Sequence, residues 1–505
     1  MAWVSGLAPV ARRGRHWGAS ARRGRGLVLL FGALLCACTV GPDYQPPKQP
    51  LPAGFAEQLE QSAAADAPQA ADGAWWKSFG DATLDQLMTQ ALQAAPDLAE
   101  AEARIREARA QRGIAGAAQY PTANAGAGYD RTHGSANVPI GVPPGGLGPG
   151  EGGNLYQVGF DASWEIDFFG GQRRTVESAE ASYQAAVENR GDVALTLLAE
   201  VARNYIELRG AQRQLAVAQQ NLAIQRDGLS LTQSQFDAGL ASSLDVLRAK
   251  AEVADTEAAI PTFEAAARTA IYAIGALVGR TPEEMRATLD APQPIPQSAR
   301  DVPLGLPSDL LLRRPDIRAA ERRIAAANAR IGVATADLYP HFSLTGVAGM
   351  ESLNASNFLH SGSHYFAVGP SVSWLIFDAG AVRFQISAEQ ARTDQAAAAY
   401  QRTVLGALRD VETALSSYGQ QEVRRGKLTA ELDADRQATT VATRLYQQGL
   451  NDFLPVLDAE RSLYAADDKL AQSDRDTALA LVALYKALGG GWLVADNTAN
   501  VSASK

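Results

Sequence analysis

The sequence has 505 residues, enough for several domains, and 46% of them are hydrophobic, which excludes an intrinsically disordered protein. The formal net charge is −9, and removal of a predicted leader takes away six arginines and no acids, which lowers the charge to −15. A chain this acidic is not expected to bind nucleic acid or anionic lipid as its main partner.

The first 37 residues have the pattern of a secretion signal. A basic region with six arginines precedes Gly26–Leu35, an apolar run that is too short to cross a membrane as a helix. The only two cysteines, Cys36 and Cys38, follow this run. We expect cleavage after Ala37, which would leave Cys38 as a lipidated N-terminus carrying acyl chains such as palmitate. A free or cleaved cysteine is the alternative.

The next segment, residues 39–75, is rich in Pro, Gln and Ala, which indicates an extended tail rather than a domain. A helical pattern begins at Trp75 and continues in a second helix over Asp97–Gln119. Tyr120-Pro121 ends that helix, because the residue before a proline disfavours the helical conformation.

A first strand is expected over about Thr122–Asp130, followed by the Gly-rich segment 134–153. This segment lacks the Lys-Ser/Thr and the helix start of a nucleotide-binding loop, so we predict a flexible turn.

The stretch Tyr156–Phe168 alternates strictly between apolar and polar residues. A strand here would therefore have one apolar face and one polar face in contact with water. A sandwich strand with one solvated face would show the same alternation. Aromatic residues near both ends, and a length close to the roughly 9–11 residues of a membrane strand, favour a transmembrane strand. Its polar face includes Asp161, Glu165 and Asp167.

A very long helix is predicted over Gln172–Asp237, with a returning helix over Leu244–Leu277. A heptad repeat in the long helix predicts left-handed supercoiling against a neighbour. Its members are Val187, Ala194, Val201, Leu208, Leu215, Leu222, Leu229 and Phe236.

The same unit occurs a second time, which predicts an internal tandem repeat. Matching landmarks are Tyr120-Pro121 with Tyr339-Pro340, and Gly159, Trp164, Gly239 and Leu244 with Gly369, Trp374, Gly449 and Leu454. The second pair of strands is expected over about Phe342–Met350 and Tyr365–Phe377. Pro370 breaks the alternation of the latter, and we expect an edge strand or a bulge there.

These landmarks divide the chain into six parts. They are a signal peptide (1–37), an N-terminal tail and equatorial segment (38–96), the first repeat (97–280), a linker (281–307), the second repeat (308–490) and a C-terminal tail (491–505).

A sheet of four strands has unpaired backbone groups at both edges, and lipid cannot hydrogen-bond them. A barrel must therefore close between chains. Two copies would give eight strands and a filled interior, whereas three give twelve strands and room for an aqueous lumen. The predicted fold is an α+β membrane protein: a homotrimeric 12-stranded β-barrel that continues into a long α-helical periplasmic barrel.

Several motifs resemble those of outer-membrane efflux lipoproteins of the NodT/OprM type, which are relatives of TolC. They are Cys38–Tyr44, Trp75-Trp76 with Phe79, Gly305–Ile317 and Tyr485–Trp492. The resemblance implies a trimer that docks with a periplasmic adaptor and an inner-membrane pump of the resistance–nodulation–division class, to expel drugs or other small toxic compounds. It also implies that Asp309–Ile317 opens a second-half helix near an equatorial belt formed by the termini and the linker.

The resemblance further implies two partner-facing regions. The helical turns at Gly239-Leu240 and Gly449-Leu450 are where the adaptor would dock, although each is also what an ordinary helix end requires. The helix Leu454–Arg461 resembles the gate of OprM-type channels, with Leu454 as an apolar plug, a ring of Asp458 carboxylates, and Arg461 pinning neighbouring helices. The alternative is a local surface pair between Asp458 and Arg461.

Other functions fit less well. No cofactor or metal is expected, because His133, His341, His360 and His364 lack zinc-site spacing and no nucleophile or nucleotide motif is present. A lipid-anchored coiled-coil protein would leave the strands unexplained. A duct for type I protein secretion or for metal efflux remains the alternative to drug efflux.

Overall fold

A computed structural model describes residues 39–57, 73–137, 152–298 and 306–492. The predicted signal, Cys38 and most of the Gly-rich turn lie outside the described residues. Contacts divide the chain into two compact units. Of the described residues, the first unit contains 39–44, 113–137, 152–178 and 328–391, and the second contains 45–57, 73–112, 179–298, 306–327 and 392–492.

The regular elements follow the predicted order. They are α1 (Ala82–Ala94), α2 (Pro96–Ala117), β1 (Thr122–His133), β2 (Gly152–Ile166), α3 (Gly171–Asp237), α4 (Ser243–Val278), α5 (Pro282–Leu289), α6 (Leu310–Arg313), α7 (Pro315–Ala336), β3 (His341–Ser352), β4 (His364–Ser373), α8 (Ala381–Gln447) and α9 (Leu454–Ala487).

The first unit contains a four-stranded antiparallel sheet in the order β1-β2-β3-β4. The pairing runs without interruption, for example from Thr122 opposite Ser163 to His133 opposite Gly152. Since no bulge shifts the register, side chains alternate between two faces along every strand. β1 and β4 form the two edges.

Several strand boundaries differ from the prediction. β1 continues to His133, and β2 already starts at Gly152, inside the segment predicted to be a turn. β2 ends at Ile166 rather than Phe168. The Asp167 carboxylate accepts a hydrogen bond from the Arg173 backbone N–H at 2.9 Å, and so it satisfies a free N–H in the first turn of α3. The prediction that Asp167 lies on the polar strand face is therefore wrong. β4 ends at Ser373 rather than Phe377, because its partner β3 starts at His341 and offers nothing further to pair with.

Pro370 lies in β4, opposite Leu344, with the register intact on both sides. β4 is an edge strand of the sheet. Of the two alternatives expected for this proline, an edge strand or a bulge, the sheet of a single chain shows the edge strand, where a missing backbone donor disturbs the pairing within the chain least.

The segment Asp309–Ile317, which was predicted to open the second-half helix, contains the short helix α6 and the start of α7. α6 ends at Arg313, and Arg314 is extended, with φ −78° and ψ 117°. Pro315 then starts α7. The physical reason is that a proline pushes the preceding residue out of the helical region, while the proline itself suits a first helical turn.

The two long helices, α3 and α8, have 67 residues each. The heptad of α3 is buried at Ala194, Val201 and Leu208, but Phe236, near the end of α3, is exposed. The seam predicted from sequence therefore holds through the middle of α3 and is lost toward its end. Among the described helices, none is both long enough and apolar enough to cross a bilayer.

The core of the second unit brings together three of the motifs found in the sequence. Trp75 stacks on Tyr485 with ring centroids 5.2 Å apart, and the Trp492 indole N–H donates to the Arg313 carbonyl at 2.8 Å. Arg314 donates to the carbonyl of Ala487 at 3.2 Å. The segments that contain Trp75, Arg313-Arg314 and Tyr485–Trp492 thus form one packed region.

Candidate functional site

Both helical turns end in the same hydrogen-bonded geometry. After α3, Gly239 has φ +75° and donates to Phe236, while Leu240 donates to Gln235 at 2.8 Å. This is a Schellman motif, in which glycine takes the left-handed conformation and its neighbours satisfy the last carbonyls. The predicted role of Gly239 as a helix terminator is confirmed.

The turn after α8 repeats this arrangement. Gly449 has φ +67° and donates to Tyr446 at 3.0 Å, and Leu450 donates to Leu445 at the same distance. Leu240 and Leu450 are 79% and 66% exposed, respectively. Each turn therefore holds an exposed leucine in a well-defined backbone conformation. The core of the chain itself does not require a leucine at either position.

An apolar cluster supports these turns from within the second unit. Its buried members are Ala249, Tyr446, Phe453, Val456 and Leu457, with Leu229 and Ala442 packed against them. The Tyr446 hydroxyl also donates to the Gln235 side chain, so side chains of α3 and α8 are joined directly. The turns are thus held by a small core of their own.

The three predicted gate residues lie at the start of α9. Leu454 is its first residue and is 42% exposed, and Asp458, one turn later, is also exposed. Pro455 follows Leu454 in the first helical turn, where proline is favoured. Leu454 and Asp458 therefore leave their side chains open to another surface.

Arg461 forms its ion pair with Glu252 of α4, which its Nε approaches at 2.8 Å. Asp458 and Asp255 also raise the pKa of Arg461 through their charge, but more weakly than the Glu252 pair does. Sequence reasoning missed Glu252, because the residue lies 209 positions before Arg461 and no short-range spacing connects them.

Glu460 lies beside this ion pair. Burial, and secondarily the negative charge of Glu252, raise the pKa of Glu460 to about 7. Near neutral pH a substantial fraction of Glu460 is therefore protonated, which relieves repulsion from the Glu252 carboxylate that holds Arg461.

In the first unit, the segment Thr39–Asp43 packs against the start of α3. We call it the N-terminal strap. Val40 donates its backbone N–H to Phe169 at 3.0 Å, and the buried Arg174 guanidinium donates to the carbonyl of Val40 and to Asp43, at 3.2 and 2.7 Å. The described chain thus begins, one residue after Cys38, at a fixed position beside the sheet–helix junction.

The strap also requires close backbone approach. Gly41 has φ +89°, and a Cβ there would lie 2.4 Å from the Cα of Gly332 in α7. A real Cβ contact is never this short, so only glycine fits.

One face of the sheet is apolar, and its large side chains are exposed. They include Phe160, Val158, Leu344, Phe366 and Val368, with Phe366 reaching 82% exposure. Such an area of exposed aromatic and branched side chains marks an interaction surface rather than an ordinary solvent surface.

The histidines were not expected to form a metal site. His341 pairs through Nδ1 with Glu165 at 2.9 Å, and its Nε2 lies 3.8 Å from Asp337. Within the described ranges, no group of three or more His, Cys, Asp or Glu is arranged to hold a metal ion.

Comparisons with known proteins give a consistent result. The family model described as "Outer membrane efflux protein" matches residues 87–280 and 306–490. The chain is 33% identical to the solvent efflux pump outer membrane protein SrpC of Pseudomonas putida, over 92% of this chain and 97% of that one. It is also 33% identical to nodulation protein T of Rhizobium leguminosarum bv. viciae, over 91% and 92% of the two chains.

A solved structure of the outer-membrane channel OprN superimposes with a TM-score of 0.81 and 39% identity, over 90% of this chain and all of that one. Channels of this kind form the exit duct of tripartite efflux pumps, which is not an enzymatic role. The chain therefore belongs to the outer membrane efflux protein family and is the outer-membrane channel of such a pump.

Proposed function

We propose that three copies of this chain form one channel, with a continuous barrel wall, that expels drugs or other small toxic compounds. The observation that carries the proposal is the sheet of the first unit. Its edge strands β1 and β4 are each paired on one side only, and one of its faces carries exposed apolar side chains. Lipid cannot hydrogen-bond the backbone groups at either edge of the sheet, so β4 of one copy pairs with β1 of the next. The P. putida relative is named for solvent efflux, which supports small compounds as cargo.

The number three follows from the size of the lumen. Each chain supplies four strands, so two copies would form an eight-stranded barrel whose interior is filled by side chains. Three copies form twelve strands and leave space for water. The polar face of the sheet, with Asp161 and Glu165, requires such a wet interior.

We also propose that the chain arose from a tandem repeat, which gives the barrel and the helices a near-sixfold arrangement in the trimer. The helices α3 and α8 have equal length and lie 210 positions apart. The indole of Trp164 donates to Gln119 at 2.9 Å, and the indole of Trp374 donates to Leu338 at 3.1 Å. Each acceptor lies two residues before the proline that precedes the first strand of its half.

Reconstitution of the purified protein into planar lipid bilayers tests the channel. We expect discrete conductance steps, and a mass of three chains by native mass spectrometry in detergent. A conducting preparation that consists of dimers would contradict the trimer, and a correctly folded trimer without conductance would contradict an open or openable duct.

We propose that Cys38 carries the lipid anchor. The strap supports this proposal, because its hydrogen bonds to Phe169 and Arg174 fix residue 39 next to the sheet. Acyl chains on the preceding residue would then enter the same membrane as the apolar sheet face. Mass spectrometry of the mature N-terminus should find acyl chains on Cys38. An unmodified Cys38, or an uncleaved bond between residues 37 and 38, would disprove the assignment.

We propose that the two helical turns bind a periplasmic adaptor, which links the channel to an inner-membrane pump of the resistance–nodulation–division class. Leu240 and Leu450 support this assignment, because they are highly exposed on ordered turns. Leu240→Glu combined with Leu450→Glu should abolish copurification of the adaptor while leaving bilayer conductance intact. Glu57→Gln, at an exposed site in the N-terminal tail, is the control and should leave copurification unchanged.

We propose that the start of α9 closes the channel. Leu454 and Asp458 are exposed in the single chain, so they are available to meet their copies near a threefold axis. Arg461 is held by Glu252 of the same chain, so it mainly braces α9 against α4, and its interaction with Asp458 is weaker. The closed state is then an apolar constriction with a ring of carboxylates one turn away.

A further inference from the structure

The two halves of the sheet pair their strands in the same register. Gly126 of β1 lies opposite Gly159 of β2. The residues that lie 219 and 210 positions later, Thr345 of β3 and Gly369 of β4, also lie opposite each other. These are the offsets at which the two halves of the sequence match. Each residue of β1 and β2 therefore has a counterpart in β3 or β4.

The end of β4 differs from the end of its counterpart β2 because one neighbour is missing. β2 pairs with β1 only as far as Ser163, but it pairs with β3 as far as Ile166, opposite Phe342. The counterparts in the second half are residues 374–376, which lie beyond the end of β4. Ile376 is 84% exposed. A further strand beside β4 would pair these residues, as β3 pairs the end of β2.

The long helices show the same difference between counterparts. α7 contacts α3 within the chain, where Arg318 donates to Glu188 at 2.6 Å. Leu195 lies two turns further along the same face of α3 and is 4% exposed, whereas its counterpart in α8, Leu405, is 54% exposed. α2, the counterpart of α7, is mostly exposed as well. One face of α8 and one face of α2 are thus uncovered in a single chain.

One position on this helix face changes its charge between the halves. In α3 it is Asp192, whose pKa is raised by burial and secondarily by the negative charge of Asp316 in α7. The counterparts of these two residues are Arg402 in α8 and Asp97 in α2. A pair of like charges within the chain therefore corresponds to a pair of opposite charges on the uncovered faces.

Arg402 and Asp97 are available for such a pair. Both side chains are exposed, and within the described part of the chain neither forms an ion pair. Where α3 meets α7, the positive charge comes from Arg314, which binds Asp316. The counterpart of Arg314 in the first half is Ala95, so a cation beside Asp97 has to come from another helix.

We infer that the interface between neighbouring copies repeats the interface between the halves of one chain, and that Arg402 of one copy pairs with Asp97 of the next. The inference rests on the proposed trimer. The occupant of the uncovered face of α8 is α2 of a second copy, because α2 is the counterpart of the helix that contacts α3. Such an interface joins the second half of one copy to the first half of the next, and it is head-to-tail and closes into a ring.

The same rule fixes the register between β4 and β1 of the next copy. Ala162 of β2 lies opposite Gly346 of β3. Their counterparts, Val372 of β4 and Ala127 of β1, then lie opposite each other across two copies. β4 continues to Ile376 in the assembled channel, which gives the exposed residues after Ser373 a strand to pair with.

Disulfide formation tests the register. Opposed residues of antiparallel strands have Cα atoms about 4.5–5.5 Å apart, which a disulfide can span. Oxidation of the detergent-solubilised Val372→Cys, Ala127→Cys variant with copper phenanthroline should link three chains, and a thiol reductant should separate them. Val372→Cys with Ala123→Cys is the control. It should stay unlinked, because Ala123 lies about 14 Å further along β1.

Charge reversal tests the ion pair. Arg402→Glu should raise the rate of trimer dissociation in detergent severalfold, because each interface then opposes two carboxylates. Arg402→Glu combined with Asp97→Arg restores opposite charges and should return the rate most of the way to that of the wild type. Arg436→Glu is the control and should leave the rate unchanged, since Arg436 and its counterpart Arg226 are both exposed.

Each test has a result that overturns the inference. Intact trimers that link through Ala123, or that do not link through Ala127, would overturn the register. A double charge reversal that dissociates as fast as Arg402→Glu would overturn the ion pair. A folded wild-type preparation without trimers would instead overturn the proposed trimer, so the two failures are distinguishable.

Discussion

Replacing Leu454 and Asp458 together with alanine should open the closed end of the channel and raise its single-channel conductance several-fold. The physical reason is that the apolar constriction loses its bulk and the carboxylate ring disappears, while Leu454 and Asp458 contribute little to the core of their own chain because both are exposed. Cells carrying the double variant should also become sensitive to bulky antibiotics that the closed channel excludes.

The matched control lies in the other half of the chain. Leu244→Ala with Arg248→Ala alters the positions 210 residues earlier, near the start of α4, where the acidic residue is missing. This variant should conduct like the wild type. Unchanged conductance in a trimeric Leu454/Asp458 variant would place the gate elsewhere. Glu252→Gln should give a smaller leak, because it removes the brace on Arg461 but leaves the constriction.

Gly41→Ala should displace the N-terminal strap and destabilise the first unit by about 2–5 kcal/mol. An alanine with φ +89° costs about 1–2 kcal/mol, and forcing its Cβ against the backbone of Gly332 adds about 1–3 kcal/mol of overpacking. Displacement also leaves the buried Arg174 without its acceptors at Val40 and Asp43. Thermal unfolding in detergent, and protease cleavage within residues 39–44, measure the two effects.

Gly54→Ala provides the control in the same N-terminal tail. A Cβ at Gly54 meets nothing within 4 Å, so this substitution should change neither thermal stability nor protease sensitivity. Acylation of Cys38 should persist in both variants, because it depends on the leader rather than on the folded strap. A Gly41→Ala protein as stable and as protease-resistant as the wild type would show that the strap does not hold the junction together.

Much of the architecture followed from sequence alone, because its signals are local and periodic. Alternation of period two located β2 and β4, and the heptad located α3. Gly239 and Gly449 marked the ends of the long helices, where the structure shows positive φ. These features depend on the conformational preferences of single residues and of their near neighbours, which any short window of the chain contains.

Element ends were less predictable, because they depend on partners. β4 stops at Ser373 since β3 starts at His341, and β2 stops before Asp167 since that carboxylate binds the start of α3. Neither reason is visible within the strand itself. The alternation merely continues beyond the last residue that has a strand to pair with.

Only the tertiary structure decides which residues pair with the buried Arg174 and with Arg461. Glu252 reaches Arg461 across 209 positions, and Arg174 reaches back 131 positions to Asp43 and 134 to Val40. The sequence determined that the strands have a polar face, but the continuous register decided that Asp130 and Glu351 share it. Contacts between distant segments depend on how helices and strands pack together, which local propensity and periodicity do not encode.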